Sequence, residues 1–257
     1  MSYQNLRFER QGNIAIIHMP GSEKDPGGLL RLSDEVTELF GEIAWDDEVQ
    51  VIVLTGSGEK SFSFKTDFVA TVARELEEGP SGLRSVWDPI AKIDRPVIGA
   101  INGDMVGLGL EVGLACDIRI AAEGSSFGLN QIEAGVIPWN GGTQRLARLV
   151  GKAKALEMIL TGETIDAKEA LRIGLVNKVV PPGELMGTAM KMAGQMASKS
   201  PIALRYTKEA VSKGMDLTLG QGLRLEADLY LLIHTTKDRV EGIQAFKERR
   251  APEFKGE

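Results

Sequence analysis

Apolar and polar residues follow two different periods along this chain, and each period predicts one kind of element. Residues 6–10 alternate apolar with charged side chains, and the apolar run 13–19 follows a Gln-Gly turn, which predicts two strands. Residues 49–56 are a β-rich run ending in glycine, typical of a buried strand that feeds a loop. Between these strands, helical spacing is found for Leu32, Val36, Leu39, Phe40 and Ile43.

Strands and helices alternate over the first part of the chain, and helices alone follow. Residues 96–101, 117–122 and 176–180 predict further strands. Such alternation favours right-handed crossovers and a mainly parallel sheet. The helical segments beyond them are 184–198, 201–213, 219–234 and 238–249. We therefore predict an α/β core over residues 1–199 and a helical C-terminal region over residues 200–257, which is too thin for a core of its own.

Composition and charge narrow the class of protein. The 257 residues are 43% apolar and 26% charged, enough for a sizeable core. A net charge of −6 without a basic stripe disfavours nucleic acid as a partner. The single cysteine, Cys116, excludes an intrachain disulfide and fits a reducing compartment. Because no signal core and no apolar run of roughly 18 residues is found, we predict a cytoplasmic protein without a membrane partner.

A glycine-rich segment carries the first candidate chemistry. Gly107-Leu-Gly109 lacks the third glycine and the following acidic residue of a dinucleotide-binding motif. Gly107-Leu-Gly-Leu-Glu111 instead predicts a turn and a helix start, whose free backbone N–H groups stabilise negative charge. Two such groups on a thioester carbonyl would stabilise an enolate.

Motifs over nearly the whole chain resemble those of the crotonase (enoyl-CoA hydratase/isomerase) family. They are the segments 51–56, 60–67, 95–103, 101–111, 116–118, 127–131, 135–138, 141–146, 160–162, 170–177 and 238–246. The resemblance implies an α/β fold built as a spiral of ββα units, with a helical C-terminal region that trimerises and trimers that pair into hexamers. It also implies an acyl-CoA substrate, a homotrimer or homohexamer, and no metal ion or redox cofactor.

The resemblance also implies roles for individual residues. Glu111 would be the catalytic acid/base, and the backbone N–H groups of Thr66 and Leu108 would form the oxyanion hole. The second glutamate of the family's hydratases, twenty residues further on, falls on Gln131. Trp87 and Trp139 would lie at the acyl pocket. The residues implied in coenzyme A binding are Lys24, Lys60, Ser63, Phe64, Lys65, Asp67 and Lys255.

Several positions depart from the family pattern. Leu108 replaces the usual glycine of the second oxyanion position, and Phe64 and Lys65 replace small residues near the first, so we expect a reshaped acyl pocket. Trp139 occupies the position that carries an acid in dienoyl-CoA isomerases and some acyl-CoA hydrolases of the family. Those two activities are therefore disfavoured.

Gln131 decides which reaction the resemblance implies. A glutamine can hold a water molecule but does not transfer a proton at neutral pH as a carboxyl does. Enoyl isomerisation in the family typically uses the carboxylate at this position, so we predict hydration of a 2-enoyl-CoA with Glu111 as the single acid/base. Branched and cyclic acyl chains stay open. Isomerase or other enolate chemistry, and acyl-CoA binding without catalysis, remain alternatives, and Glu133 is a candidate substitute acid that we interpret as solvated.

A remote alternative starts from a different motif. Gly124-Ser-Ser-Phe-Gly128 fits the G-x-S-x-G pattern of serine hydrolases, which would make Ser126 a nucleophile on a strand-to-helix turn. A catalytic triad would then require His234, because His18 precedes the serine and lies in a predicted strand.

Overall fold

The computed structural model describes residues 3–20, 28–58, 62 and 87–257. The strands in these residues are β1 (Arg7–Gln11), β2 (Ile14–Met19), β3 (Val51–Gly56), β4 (Val97–Ile101), β5 (Met105–Val106), β6 (Ile118–Ala122), β7 (Ser126–Gly128), β8 (Ile165–Asp166) and β9 (Lys178–Val180). Within this part of the chain, six strands form one sheet in the order β1-β2-β3-β4-β6-β9, and β5-β7-β8 form a small second sheet. Among the described strands of the large sheet, only the β1–β2 pair is antiparallel, so the sheet is mainly parallel, as the sequence predicts.

The helices surround the large sheet and extend beyond it. Those found in the described ranges are α1 (Gly28–Trp45), α2 (Asp88–Lys92), α3 (Leu108–Ala115), α4 (Gly142–Val150), α5 (Lys152–Thr161), α6 (Ala167–Arg172), α7 (Leu185–Ala197), α8 (Pro201–Gly214), α9 (Leu219–Ile233) and α10 (Lys237–Glu248). Short 3₁₀ turns cover Gln131–Ala134 and Pro182–Glu184. None of the helices in the described residues has the length and apolarity that a bilayer crossing requires.

The continuous apolar runs of the central strands are explained by burial on both faces of the sheet. In β3, Ile52 and Leu54 belong to the main core, whereas Val51 and Val53 face a second core on the other side. Successive side chains of a strand point to opposite faces, so a strand covered on both sides is apolar throughout. Helix α7 lies across β2, β3, β4 and β6, and its buried side chains at four-residue spacing close the second core. Those side chains are Leu185, Ala189 and Ala193.

Helix α8 makes polar contacts with residues next to the large sheet. Lys208 on α8 donates to Asp117 Oδ2 at 2.6 Å and to the Arg95 carbonyl at 2.8 Å. Helices α8 and α9 pack on each other. Few of their side chains are buried, in agreement with the thin helical region expected from the sequence, whereas the domain boundary near residue 200 stays a prediction.

The last residues of the chain are held by a buried acid. Asp238, in the first turn of α10, is 3% exposed and accepts hydrogen bonds from the backbone N–H groups of Lys255 and Gly256 at 2.8 Å and 3.1 Å. The backbone N–H of Lys237 donates to the Glu257 carbonyl at 2.7 Å. The segment after α10 is thus fixed against the start of the same helix.

Replacing Asp238 by alanine should loosen this segment. We expect Asp238→Ala to lower the free energy of unfolding by about 1 to 3 kcal/mol, because two N–H groups lose a buried acceptor. Urea unfolding measures the loss. Asp228→Ala, which removes only an exposed i,i+4 pair with Arg224, is the control and should change stability by less than about 0.5 kcal/mol. Equal effects of both variants would contradict the assigned anchor.

Candidate active site

The site begins where β5 turns into α3. Gly107 has φ 59° and ψ −125°, a conformation that side chains rarely adopt, and its N–H donates to the Gly128 carbonyl at 2.9 Å. Leu108 is the first residue of α3, so its N–H has no acceptor within the helix. No described residue accepts a hydrogen bond from this N–H, so the N-terminus of α3 is open at the predicted second oxyanion position. The Leu108 side chain is buried in the main core.

Glu111 lies one turn into α3 and is the single ionisable side chain of that helix. All eight residues of α3 are buried, and Glu111 is 0% exposed. Its Oε1 accepts hydrogen bonds from the backbone N–H groups of Asn140 at 2.8 Å and Gly142 at 3.0 Å. Because Gly142 is the first residue of α4, the carboxylate of Glu111 lies at the N-terminus of a second helix.

The glycine pair before α4 allows this approach. Gly141 has φ 95°, in the left-handed region. A β-carbon on Gly142 would lie 2.9 Å from Glu111 Oε1, closer than a side chain tolerates. None of the sequence motifs pointed to these backbone donors. The signal in the sequence was the Gly-Gly pair directly before a helical segment.

Gln131 is the side-chain partner of Glu111. Gln131 begins the 3₁₀ turn after β7 and is 1% exposed. Its Nε2 donates to Glu111 Oε2 at 3.2 Å. Its Oε1 is buried and accepts a hydrogen bond from none of the described residues. The structure thus brings together the two residues that the family resemblance pairs.

Burial shifts the pKa of Glu111 to near neutral pH. Removal from water raises its pKa to about 7, because the charged form loses its hydration. The hydrogen bonds from Gly142, Asn140 and Gln131, and the positive charge of Arg145, favour the charged form and limit the rise. A carboxyl with a pKa near neutrality can both accept and return a proton at physiological pH.

The other predicted site residues differ in what the structure says of them. Trp87 is fully buried in the main core at the start of α2, and Trp139 is half-buried against that core, next to Asn140. The Lys255 side chain is exposed. Lys24, Lys60, Ser63, Phe64, Lys65, Thr66 and Asp67 lie outside the described residues. Among the described residues, no group of three His, Cys, Asp or Glu side chains could hold a metal ion.

The serine hydrolase interpretation is wrong. Ser126 begins strand β7 and is not on a strand-to-helix turn, and its hydroxyl donates to Asp104 at 2.6 Å. His234 follows α9, with its ring edge-on to Tyr230 at 5.0 Å, and no hydrogen bond between described residues joins it to Ser126. Glu133 is exposed, which agrees with the solvated interpretation of that residue.

Comparison with known proteins identifies the class of protein that this fold and site define. Residues 9–257 match the sequence model of the enoyl-CoA hydratase/isomerase family. The chain is 38% identical to the crotonyl-CoA hydratase of Syntrophomonas wolfei, covering 99% of both, and 41% identical to the (E)-benzylidenesuccinyl-CoA hydratase of Thauera aromatica, covering 86% of this chain and 88% of that one. The crystal structure of the enoyl-CoA hydratase from Bacillus anthracis matches with a TM-score of 0.90 at 38% identity, covering 99% and 100% of the two chains. The chain therefore belongs to the enoyl-CoA hydratase/isomerase family and has the crotonase fold, as its motifs predict.

Glu111 should reduce stability when it is ionised. The pKa of Glu111 is about 7 in the folded protein, against its ordinary value of 4.5, which applies to the unfolded chain. Between these two pH values the folded state therefore binds more protons than the unfolded state. The stability of the wild type consequently falls as pH rises from about 4.5 to about 7. Glu111→Gln removes this penalty, and its new amide N–H can donate to Gln131 Oε1 if the Gln131 amide turns over. We expect the variant to be more stable at pH 8 by on the order of 2 kcal/mol and to differ little at pH 4.5.

Thermal and urea unfolding at the two pH values measure this difference. Glu133→Gln, at an exposed position, is the control and should follow the wild type at both. A Glu111→Gln variant with the same pH dependence as the wild type would show that ionisation of Glu111 is not penalised in the fold.

Proposed function

We propose that this protein adds water to the double bond of a 2-enoyl-CoA thioester. One observation carries the proposal. A buried carboxyl with a near-neutral pKa lies one helical turn from the Leu108 N–H, which has no hydrogen-bond acceptor among the described residues, and this arrangement supports proton transfer beside enolate stabilisation. Relatives named as hydratases, including that of Syntrophomonas wolfei, support the same reaction.

In the proposed reaction each group has one step. The thioester carbonyl oxygen accepts a hydrogen bond from Leu108 N–H, and by family resemblance from Thr66 N–H, so negative charge that forms on this oxygen is stabilised. Glu111 takes a proton from water as the water oxygen bonds to the β-carbon. The electron pair of the double bond moves into the enolate. Glu111 then returns that proton to the α-carbon, which gives the 3-hydroxyacyl thioester and restores the carboxylate.

Gln131 makes Glu111 the single acid/base of the proposed reaction. By family resemblance, Gln131 stands where the hydratases carry a second glutamate, and its amide transfers no proton at neutral pH. The same feature disfavours isomerisation, which needs a carboxylate there. The reaction proposed needs no cofactor, because coenzyme A enters as part of the substrate. The coenzyme A contacts, the acyl-pocket roles of Trp87 and Trp139 and the cytoplasmic location stay predictions.

Product analysis tests this function directly. We expect wild type incubated in heavy-oxygen water with straight, branched and cyclic 2-enoyl-CoAs to form a labelled 3-hydroxyacyl-CoA. Glu111→Gln should lose about 10²-fold or more in turnover. Because Glu111 must be ionised to accept the proton, kcat/KM of the wild type should rise with pH up to about 7.

Mass spectrometry of the thioesters and a pH series of initial rates supply the two readouts. Glu133→Gln is the control, and it should retain wild-type turnover. Binding of the thioesters with no label in any product would instead favour the non-catalytic binder.

Exposed apolar side chains on the C-terminal helices support self-assembly. We group seven of them as the C-terminal apolar surface: Leu219, Leu223, Tyr230, Leu231, Val240, Ile243 and Phe246. Phe246 is 84% and Leu231 64% exposed, and burial of such side chains between subunits would remove apolar area from water. We propose that this surface joins subunits into a homotrimer, and that trimers pair into a homohexamer.

Charge on this surface should disperse the assembly. We expect light scattering to give three or six times the 27.8 kDa chain mass for the wild type and a smaller mass for the double variant Leu231→Glu, Phe246→Asp. Trp45→Glu, at a 92% exposed position at the end of α1, is the control and should keep the wild-type mass. A wild type that is monomeric, or a double variant of unchanged mass, would contradict the proposal.

A further inference from the structure

The hydrogen bonds of Glu111 distinguish its two oxygens. A carboxylate oxygen offers two lone pairs, and both on Oε1 are used by the N–H groups of Asn140 and Gly142. Oε2 accepts one hydrogen bond, from Gln131 Nε2. One lone pair therefore stays available on Oε2, and Oε2 is the oxygen that can exchange a proton with a bound molecule.

Gln131 places a second acceptor beside this oxygen. Because the amide is planar and its Nε2 is bound to Glu111 Oε2, its Oε1 is fixed close to the same oxygen. Oε1 is buried and accepts no hydrogen bond from the described residues, whereas most buried acceptors in proteins have a partner. The amide orientation follows from chemistry, since an ionised carboxylate only accepts hydrogen bonds and so must face the N–H side.

We propose that Gln131 orients the water that is added to the substrate, by accepting a hydrogen bond at Oε1 while the same water donates its other hydrogen to Glu111 Oε2. Both hydrogens of the water are then fixed, and a lone pair on its oxygen is directed to the β-carbon. This inference rests on the proposed hydration. The neutral residue is thereby an essential part of this site, although it transfers no proton.

Two reactions of the same active site separate this role from a structural one. Hydration of crotonyl-CoA needs Glu111, the oxyanion hole and an oriented water. Exchange of the α-hydrogen of butyryl-CoA for deuterium in D₂O needs Glu111 and the oxyanion hole, but no water added to a β-carbon. A residue that orients the water affects the first rate, whereas a residue that only positions Glu111 affects both.

The variant Gln131→Met removes the acceptor while keeping a side chain of similar length. We expect its kcat for hydration to fall roughly 10- to 100-fold and its rate of α-deuterium exchange to stay within about threefold of the wild type. Loss of the Nε2 donor changes the pKa of Glu111. Both rates are therefore compared at a pH above which they no longer increase. The ratio of the two rates is independent of the folded fraction, and Gln131→Leu supplies a second apolar replacement. Gln144→Met, an exposed glutamine on α4, should leave both rates unchanged.

The outcomes distinguish this inference from the function on which it rests. A Gln131→Met variant that hydrates like the wild type, or loses both reactions equally, overturns the role of Gln131 while a hydrating wild type upholds the proposed function. A wild type that exchanges the α-hydrogen but hydrates no thioester overturns both proposals. Glu111→Gln should lose both reactions, and if it retains exchange, the base in this site is a different residue.

Discussion

The burial of one carboxyl between two helix starts is the constraint on which this site depends. An isolated ionised carboxylate is strongly disfavoured in a protein interior, and it is tolerated only where donors are fixed around it. Glu111 meets that condition with two backbone N–H groups at the start of α4. Backbone donors in a helix N-terminus need no reorganisation when the charge appears or disappears. The result is a carboxyl whose two protonation states have nearly equal free energy at neutral pH.

The rest of the fold holds α3 so that this carboxyl stays in place. At the N-terminus, the Gly107 N–H is bound to the Gly128 carbonyl of the small second sheet. At the C-terminus, the buried Arg119 guanidinium donates to the carbonyls of Gly113 at 3.2 Å and Cys116 at 2.6 Å, and to Leu175 at 2.7 Å. An N–H that stabilises an oxyanion is effective only if its direction is fixed in advance. A helix buried on every face and bound at both ends provides that rigidity.

Different parts of this structure were predictable from the sequence to different degrees. A strand of five or six residues, such as Val51–Gly56, has an apolar run long enough to predict it from the sequence. The two-residue strand Met105–Val106 is too short to show a periodic pattern. The family resemblance pointed to Glu111 and Gln131 as a pair, and the structure joins their side chains. The backbone donors to Glu111 could not be predicted in the same way, because every residue except proline carries an N–H and only the loop conformation directs it.

A neutral partner changes what the acid/base can do. A second carboxyl with an oxygen about 3.2 Å from Glu111 Oε2 would share one proton with it, since two carboxylates at that distance do not ionise together. The amide of Gln131 removes that coupling, so in the proposed reaction Glu111 alone holds a proton for the enolate. Such a mechanism requires a carboxyl that is ionised when it meets the water and then stays protonated until the enolate receives a proton. The complete burial of Glu111 meets both conditions near neutral pH, because it raises the pKa of this carboxyl to about 7.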